Sequence, residues 1–417
     1  MPRPEPAALR EAMVDAIAAK RALIDMPPLP PQVEKALRTV PRHPFLPGLD
    51  LGEAYADQAV VTSRDDDKGV ALSSVSAPSI VATMLDRADL APGMRVLEVG
   101  SGGYNAALIS HLVGPAGEVT SLDIDPEVID RARACLEQNG TPGVRLVVGD
   151  GEHAFPERAP YDRIIVTAGA WDVPPAWGSQ LADGGRLVIP VRIRGLTRLL
   201  TLQPAPGGRW KSVALDMCGF VRMQGAGEHW EPMVTLHDAD GAQAGLRLED
   251  GPHADAEALR AALAAPGVEA WSGVHVGAQE PTDAKDLWIA SAADGWAQLT
   301  AQRGAVKNKV VRPMVLMGTP ALVSEEGTSF AYRLLRPHPE LENRWEFGAL
   351  GHGPQGAATA ERLCALIAQW DAEHRGGPGP RITLYPASTP ARDLPPGRVV
   401  TKRHVHMVLD WTTAPHK

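Results

Sequence analysis

Short apolar runs alternate with amphipathic stretches between residues 95 and 191. The runs fit buried parallel strands, because a strand that is covered on both faces is apolar at nearly every position. The stretches between them, Tyr104–Val113 and Pro126–Asn139, repeat apolar residues at helical spacing. Strands that alternate with helices predict an α/β fold with one parallel sheet. The predicted strands are Arg95–Gly100, Glu118–Ile124, Val144–Asp150, Tyr161–Thr167 and Arg186–Val191.

The segments that flank this pattern are organised differently. Residues 5–24 have the spacing of an amphipathic helix and precede a proline cluster, so residues 1–40 are predicted to be a helical segment of the same domain. After residue 191, the runs Thr197–Gln203 and Ser212–Met223 flank Pro206–Gly208 and predict an antiparallel hairpin.

Beyond residue 225 the predicted strands are less regular, which predicts a domain boundary near that position. The length of 417 residues is enough for two or three domains. We predict a first domain over 1–225 and a second, α+β domain over 226–417, which includes a helix from about Ala357 to His374. Seven of the ten tryptophans follow residue 226. They could line a peptide groove or pack in a core.

Composition and charge narrow the classes of partner. The net charge is −9, which argues against a protein that binds the phosphate backbone of nucleic acids. No stretch approaches the ~18 apolar residues of a membrane span. Three separated cysteines and a charged N-terminus without an apolar signal core indicate a cytoplasmic protein. His404 and His406 alternate on a predicted strand, but without a third ligand nearby we expect no metal site.

A glycine-rich turn, Gly100–Gly103, joins the first predicted strand to a helix. Glycines allow a ligand to approach the backbone closely, and the N-terminus of a helix attracts an anionic group. Such turns also join strands to helices in many folds without binding anything. The loop lacks the GxGxxG pattern and no Walker lysine follows it, which disfavours a dinucleotide or a triphosphate.

Acidic residues end the next two predicted strands. Asp123 could accept hydrogen bonds from ribose hydroxyls, and Asp150 could accept one from an adenine amino group. Glu98, in the first strand, is the third polar residue of this predicted crevice. An adenosine ligand with a small carboxylate tail fits this arrangement, and S-adenosyl-L-methionine is such a ligand.

Several motifs together resemble the protein-L-isoaspartate O-methyltransferase family, in the order that the family has them and over about the first half of the chain. The resemblance implies a class I, Rossmann-like methyltransferase fold, S-adenosyl-L-methionine as cofactor, and esterification of an aspartyl-type carboxylate. The motifs are Val40–His43, Ala54–Asp57, Val75–Pro78, Val147–Gly151, Ala159–Val166 and Gly184–Pro190.

The positions of the strand ends and the family resemblance together suggest a role for each candidate site residue. Ser76 matches the family serine that orients the acceptor carboxylate; alternatively, it caps the helix that follows. Ser73, Arg192 and Arg194 are candidate substrate-binding residues, although arginines at such positions are often simply solvated. The candidate cofactor-binding residues are Ser74, Val75, Glu98, Gly100, Ser101, Gly102, Asp123, Ile124, Asp150 and Gly151.

Three departures separate the chain from an ordinary repair enzyme. The glycine turn is one residue shorter than the family's, the charged stretch Arg64–Lys68 replaces a short glycine-containing segment, and about 190 residues follow the hairpin. Asp65–Asp67 could close over the site or form a plain surface loop. These features resemble the longer subgroup that methylates an aspartate in lanthipeptide-type, ribosomally made precursor peptides (the FxLD system type). In that subgroup the ester leads through succinimide to isoaspartate.

Three functions remain open from the sequence. The leading one is a peptide-tailoring methyltransferase whose partner is a cyclised precursor peptide. The second is a protein-L-isoaspartate repair methyltransferase, with the same chemistry and a broad range of substrates. The third is a scaffold that keeps the cofactor pocket without catalysis. The sequence does not determine the oligomeric state.

Overall fold

The computed structural model describes residues 5–65, 70–141, 143–249, 253–278, 280–313 and 315–412. This part of the chain contains a two-stranded hairpin, a ten-stranded sheet and a seven-stranded sheet. Asp66 and Asp67 of the predicted charged loop lie outside the described residues.

Helices at the N-terminus cover one face of the ten-stranded sheet. The helix predicted over 5–24 is confirmed, with Val14 and Ile17 buried on its inner face. Prolines occupy the first turns of α1 and α2, where their missing N–H groups cost no helical hydrogen bond. These helices are α1 (Pro6–Leu23), α2 (Pro31–Thr39), α3 (Leu51–Tyr55), α4 (Pro78–Ala88) and α5 (Tyr104–Val113). A hairpin of β1 (Val60–Arg64) and β2 (Ala71–Val75) lies between α3 and α4.

The predicted parallel strands form the centre of the ten-stranded sheet in the order β5-β4-β3-β6-β7. From β3 the chain adds strands on one side and then crosses back to add β6 on the other. Such a reversal opens a crevice at the carboxyl ends of the strands. The elements are β3 (Arg95–Val99), β4 (Glu118–Asp123), α6 (Pro126–Gln138), β5 (Val144–Val148), β6 (Tyr161–Val166), α7 (Pro175–Ser179) and β7 (Leu181–Ile193).

The antiparallel hairpin is confirmed, but its second strand is shorter than predicted. It consists of β8 (Leu196–Ala205) and β9 (Arg209–Met217), whereas the second run was predicted to reach Met223. After Met217 the chain leaves β9 and forms backbone hydrogen bonds with the loop that follows β6. Gly169 N donates to Val221 O at 2.7 Å, and Met223 N donates to Gly169 O at 3.1 Å. This segment therefore crosses the carboxyl edge of the parallel sheet.

The prediction that residues 226–417 form one separate domain is wrong for the end of the chain. The strands β17 (Arg381–Pro386), β18 (Arg398–Thr401) and β19 (Val405–Asp410) join the ten-stranded sheet, and β17 pairs with β9. Without β17, β9 would be an open edge with unpaired backbone groups, so the returning strands protect it. The ten-stranded sheet thus contains strands from before and from after the second domain.

The second domain lies between these two passages and has the predicted α+β composition. Its sheet is antiparallel throughout, in the order β10-β11-β13-β14-β15-β16-β12. Trp296 and Trp370 are buried, which confirms the core interpretation for these two, whereas Trp230 is exposed. The elements are β10 (Met233–His237), β11 (Ala244–Arg247), α8 (Ala256–Ala264), β12 (Val268–Gly277), α9 (Asp283–Ala292), β13 (Trp296–Ala301), α10 (Arg303–Lys307), β14 (Met317–Val323), β15 (Phe330–Pro337), β16 (Arg344–His352) and α11 (Gly356–Glu373).

No helix in the described ranges combines the length and the apolar character that crossing a bilayer requires.

Candidate functional site

The glycine turn after β3 brings its backbone against the strand beside it. Gly100 has a φ of +97°, a conformation that side chains with a Cβ rarely adopt. A Cβ at this position would lie 2.4 Å from Thr167 Oγ1. Gly103, with a φ of +80°, then directs the chain into α5. The turn leaves backbone groups, rather than side chains, facing the crevice at the ends of the strands.

The buried side chain of Glu98 supports this turn on the side away from the crevice. Its carboxylate is fully buried and accepts hydrogen bonds from Asn105 Nδ2 at 2.8 Å and from the Ser121 hydroxyl. Burial raises the pKa of Glu98 to about 7, and the hydrogen bonds from Ser121 and Asn105 oppose that shift. We predicted Glu98 as a cofactor-binding residue, but the structure places its carboxylate away from the crevice. Its side chain positions the loop instead.

The crevice itself is a cleft of about 560 Å³, measured with the solvent at its mouth, which we call the strand-end cleft. Asp123 lies on its wall at the end of β4, and its carboxylate accepts backbone hydrogen bonds from Ser101 at 2.8 Å and Asp125 at 3.0 Å. Burial raises the pKa of Asp123, and these two bonds oppose the shift. The predicted residues that line the strand-end cleft are Ser73, Ser74, Gly100, Ser101, Gly102, Asp123, Ile124 and Gly151.

Two further predicted cofactor-binding residues lie outside this lining. Val75 is buried beside Gly102. Asp150 accepts backbone hydrogen bonds from Glu152 at 2.9 Å and from Ala226 at 2.8 Å, so the chain itself already bonds to both carboxylate oxygens. Each carboxylate oxygen has a second lone pair, so these bonds, like those to Asp123, leave room for a further donor. Gly151, the next residue, does face the cleft.

Ser76 lies in a second groove, beside the strand-end cleft, which we call the serine groove. Its volume is about 1410 Å³, again including open solvent. Ser76 does not cap α4, because Ala77 occupies the N-cap position and Asp57 accepts the backbone hydrogen bond from Ser79 at 2.9 Å. The backbone carbonyl of Ser76 accepts from the buried guanidinium of Arg42 at 2.8 Å. The structure thus does not support the capping alternative for the Ser76 hydroxyl.

The strand-end cleft and the serine groove have a wall in common. Ser74, Val221 and Arg222 line both of them. Ser74 comes from β2, and the other two come from the segment that crosses the sheet edge after β9. The arrangement can therefore hold two ligands side by side, one in each cleft, on either side of these three residues.

The two arginines that we predicted as substrate-binding residues lie in different parts of the structure. Arg192, at the end of β7, lines the serine groove. Arg194 lies in the turn after β7 with a φ of +49°, and its guanidinium donates to the backbone carbonyls of Ala290 and Ala293. Its prediction as a substrate-binding residue is therefore wrong, since Arg194 fastens the second domain to the sheet.

Sequence reasoning missed several residues of the two clefts. Thr167 directly follows β6, so the strand-end argument that selected Asp123 could have found it. Arg222 and Gln224 follow an antiparallel hairpin, where no sequence signal indicated a site. Gln224 Nε2 donates to Leu72 O at 3.2 Å and connects the crossing segment to β2.

Comparison with known proteins identifies the family. The model of the protein-L-isoaspartate(D-aspartate) O-methyltransferase (PCMT) family matches residues 11–226, more than half of the chain. A protein-L-isoaspartate O-methyltransferase from Methanopyrus kandleri is 39% identical over 203 residues, which cover 48% of this chain and 87% of that relative. The chain belongs to the protein-L-isoaspartate O-methyltransferase family. It is accordingly an S-adenosyl-L-methionine-dependent methyltransferase, as predicted.

Other similar proteins carry the same family name. Protein-L-isoaspartate O-methyltransferase 2 of Archaeoglobus fulgidus is 43% identical over 161 residues, or 38% of this chain and 70% of that protein. A solved structure named protein-L-isoaspartate O-methyltransferase is 20% identical, with a TM-score of 0.48, over 90% of this chain and 96% of that chain. A putative Plasmodium falciparum member, solved in complex with S-adenosyl-L-homocysteine, is 20% identical over 53% of this chain and 99% of that chain, with a TM-score of 0.44.

The residues of the strand-end cleft fit the cofactor of this methyltransferase family. The backbone of the glycine turn is open to a ligand, Asp123 offers a carboxylate at a strand end, and Ile124 exposes 36% of its surface. An apolar side chain exposed in a cleft suits the face of a base, and a strand-end carboxylate suits ribose hydroxyls.

Proposed function

We propose that this enzyme transfers a methyl group to a side-chain-type carboxylate of a peptide, aspartyl or isoaspartyl. The observation that carries the proposal is the wall of Ser74, Val221 and Arg222, which the strand-end cleft and the serine groove share. Methyl transfer needs a donor and an acceptor held in line and close together, and two adjoining clefts support that placement.

The strand-end cleft would hold S-adenosyl-L-methionine, which supplies a methyl group on a positively charged sulfur. The Gly100–Gly102 turn would face its amino-acid end, Asp123 its ribose and Ile124 its base. A carboxylate with an ordinary pKa near 4 is ionised at neutral pH, so the acceptor needs no general base. The work of the protein is to orient the acceptor and to exclude water. Ser76 would donate one neutral hydrogen bond to the acceptor carboxylate.

We further propose that the acceptor is a cyclised, ribosomally made peptide of the lanthipeptide type. Support comes from the resemblance of the turn and of the charged stretch to that subgroup, and from the second domain. Residues beyond the family match reach the serine groove indirectly, since Glu231 pairs with Arg192 and Arg222. Selecting one peptide among many needs contacts remote from the reacting atoms. The unpaired cysteines fit our further proposal that the enzyme acts in the cytoplasm.

Repair of isoaspartyl residues in damaged proteins is the second candidate. The similar proteins from Methanopyrus kandleri and Archaeoglobus fulgidus both carry the name protein-L-isoaspartate O-methyltransferase, which favours it. A repair enzyme accepts generic isoaspartyl peptides, whereas a tailoring enzyme prefers its cyclised precursor to both a linear precursor and a generic peptide.

The test compares three acceptors with the full chain and S-adenosyl-L-methionine. They are a cyclised precursor peptide of the lanthipeptide type, its linear form, and an isoaspartyl hexapeptide. Mass spectrometry follows the gain of one methyl group and the later loss of methanol on succinimide formation. Preference for the cyclised peptide supports tailoring. Equal or better turnover of the hexapeptide establishes repair, and no methylation of any acceptor refutes the proposed chemistry.

A further inference from the structure

Two arginines on the floor of the serine groove share one carboxylate. Arg192, from the end of β7, and Arg222, from the crossing segment, both line the groove. Glu231, which follows the crossing segment, lies between them. Arg222 Nη2 is 3.0 Å from Glu231 Oε2, and Arg192 Nη2 pairs with the other oxygen. The Glu231 side chain is 1% exposed, against 10% for Arg192 and 21% for Arg222.

The charges of this cluster do not cancel. Arg247 is close enough to Glu231 to interact with it, and the exposed Glu228 contributes a negative charge beside Arg222. Arg247 also interacts with Glu249, whose carboxylate pairs with Lys402 at 2.8 Å. With this pair included, four positive groups against three negative ones leave one positive charge in excess. Within the described residues, the buried Nε atoms of Arg192 and Arg222 have no hydrogen-bond partner, and Glu231 Oε1 contacts Arg192 as an ion pair without a hydrogen bond. The excess positive charge, together with the partly exposed side chains of Arg192 and Arg222, suits a ligand that brings acceptor oxygens and a negative charge to the groove.

The surroundings hold the guanidinium groups in place for such a ligand. The Arg222 guanidinium lies over the ring of Trp230, 3.9 Å from its centroid. Stacking fixes the plane of the donor fork, and a fixed fork matches the two oxygens of a carboxylate. Ser76 lines the same groove, and Arg222 also borders the strand-end cleft. A carboxylate on the arginines would thus lie in the same groove as Ser76, within reach of an acceptor peptide bound there.

We propose that Arg192 and Arg222 bind a second carboxylate of the acceptor, one that is not methylated, and that the enzyme selects peptides with an acidic residue beside the target. This rests on the proposed peptide carboxyl methylation. The arginines are poor partners for the reacting carboxylate, because strong charge-assisted hydrogen bonds would occupy the lone pairs that must attack the methyl group. A single hydroxyl, such as that of Ser76, leaves those lone pairs available.

The experiment measures peptide binding separately from turnover. Two fluorescein-labelled isoaspartyl hexapeptides differ only by Glu or Gln in the residues that flank the isoaspartate. Fluorescence anisotropy gives Kd for each, with the enzyme saturated by S-adenosyl-L-homocysteine. We expect the Glu peptide to bind the wild type at least about tenfold more tightly, since a charge-assisted hydrogen bond contributes roughly 1.5–3 kcal/mol. Arg222→Gln should bring the ratio of the two Kd values close to one, and Arg222→Lys should keep part of it.

Arg133→Gln is the matched control, because Arg133 lies on the exposed face of α6 and its ion pair among the described residues is the local one with Asp130. It should leave the ratio unchanged. A ratio near one in the wild type, no binding of either peptide, or a ratio that Arg222→Gln leaves intact would overturn the inference. An equal loss of affinity for both peptides in Arg222→Gln would also overturn it, because the arginine would then bind the isoaspartyl carboxylate that both peptides contain. Methylation of both peptides with equal KM defeats this inference alone, whereas binding without methylation of either defeats the proposed function.

Discussion

Gly100 offers a sharp test of the glycine turn. In Gly100→Ala the new Cβ would lie 2.4 Å from Thr167 Oγ1, in a backbone conformation with a φ of +97°. The Thr167 hydroxyl donates to the carbonyls of Val99 at 3.1 Å and Gly100 at 2.9 Å, so moving it away also weakens that contact. The backbone strain is worth about 1–3 kcal/mol and the hydrogen bond about 0.5–1.5 kcal/mol. Together they predict a loss of stability of roughly 1.5–4.5 kcal/mol.

Gly102→Ala is the matched control in the same turn. Gly102 lacks a positive φ, and the nearest atom to a Cβ there is Val75 Cγ2 at 3.7 Å, an ordinary contact. We expect its stability to stay within about 0.5 kcal/mol of the wild type. Thermal unfolding of the ligand-free proteins measures both, with a shift of roughly 2–4 °C for each kcal/mol in a domain of 150–250 residues. If the two variants melt together, the close approach of the turn to Thr167 is not what requires glycine.

Three more substitutions test the site. Asp123→Ala should weaken S-adenosyl-L-homocysteine binding by about 2–3 kcal/mol in titration calorimetry, and an unchanged affinity would remove Asp123 from the cofactor site. Ser76→Ala should lower kcat while leaving cofactor affinity intact, so wild-type turnover at saturating peptide would end its proposed role. Since the pKa of Glu98 rises to about 7, its burial costs stability as pH increases from about 4.5 to 7. Glu98→Gln should therefore gain about 3 kcal/mol relative to wild type over that range, and a pH-independent difference in unfolding free energy would contradict this.

Local pattern was enough to predict the parallel sheet and most of the strand-end cleft. Apolar runs between helices predict buried strands, and the carboxyl ends of parallel strands lie at one edge, so Asp123 and the glycine turn were predicted to meet. The structure places both on the wall of one cleft. Glu98 was assigned to the same site because it precedes the turn, but alternation along a strand does not show whether a carboxylate faces a ligand or the back of a loop.

The tertiary structure alone decided which distant residues join the site. Arg192 and Arg194 are two residues apart, and on a regular strand they would share a face. In the turn after β7, Arg194 has a positive φ and its side chain donates to the second domain. The side chain of Arg192 lies in the serine groove. Arg222 reaches that groove because the chain leaves β9 at Met217 and crosses the sheet edge. The return of β17 to β9 is also non-local, since an open strand edge attracts any suitable partner whatever its distance in sequence. Local periodicity specifies elements, whereas pairing and turn geometry over long separations determine which of them meet.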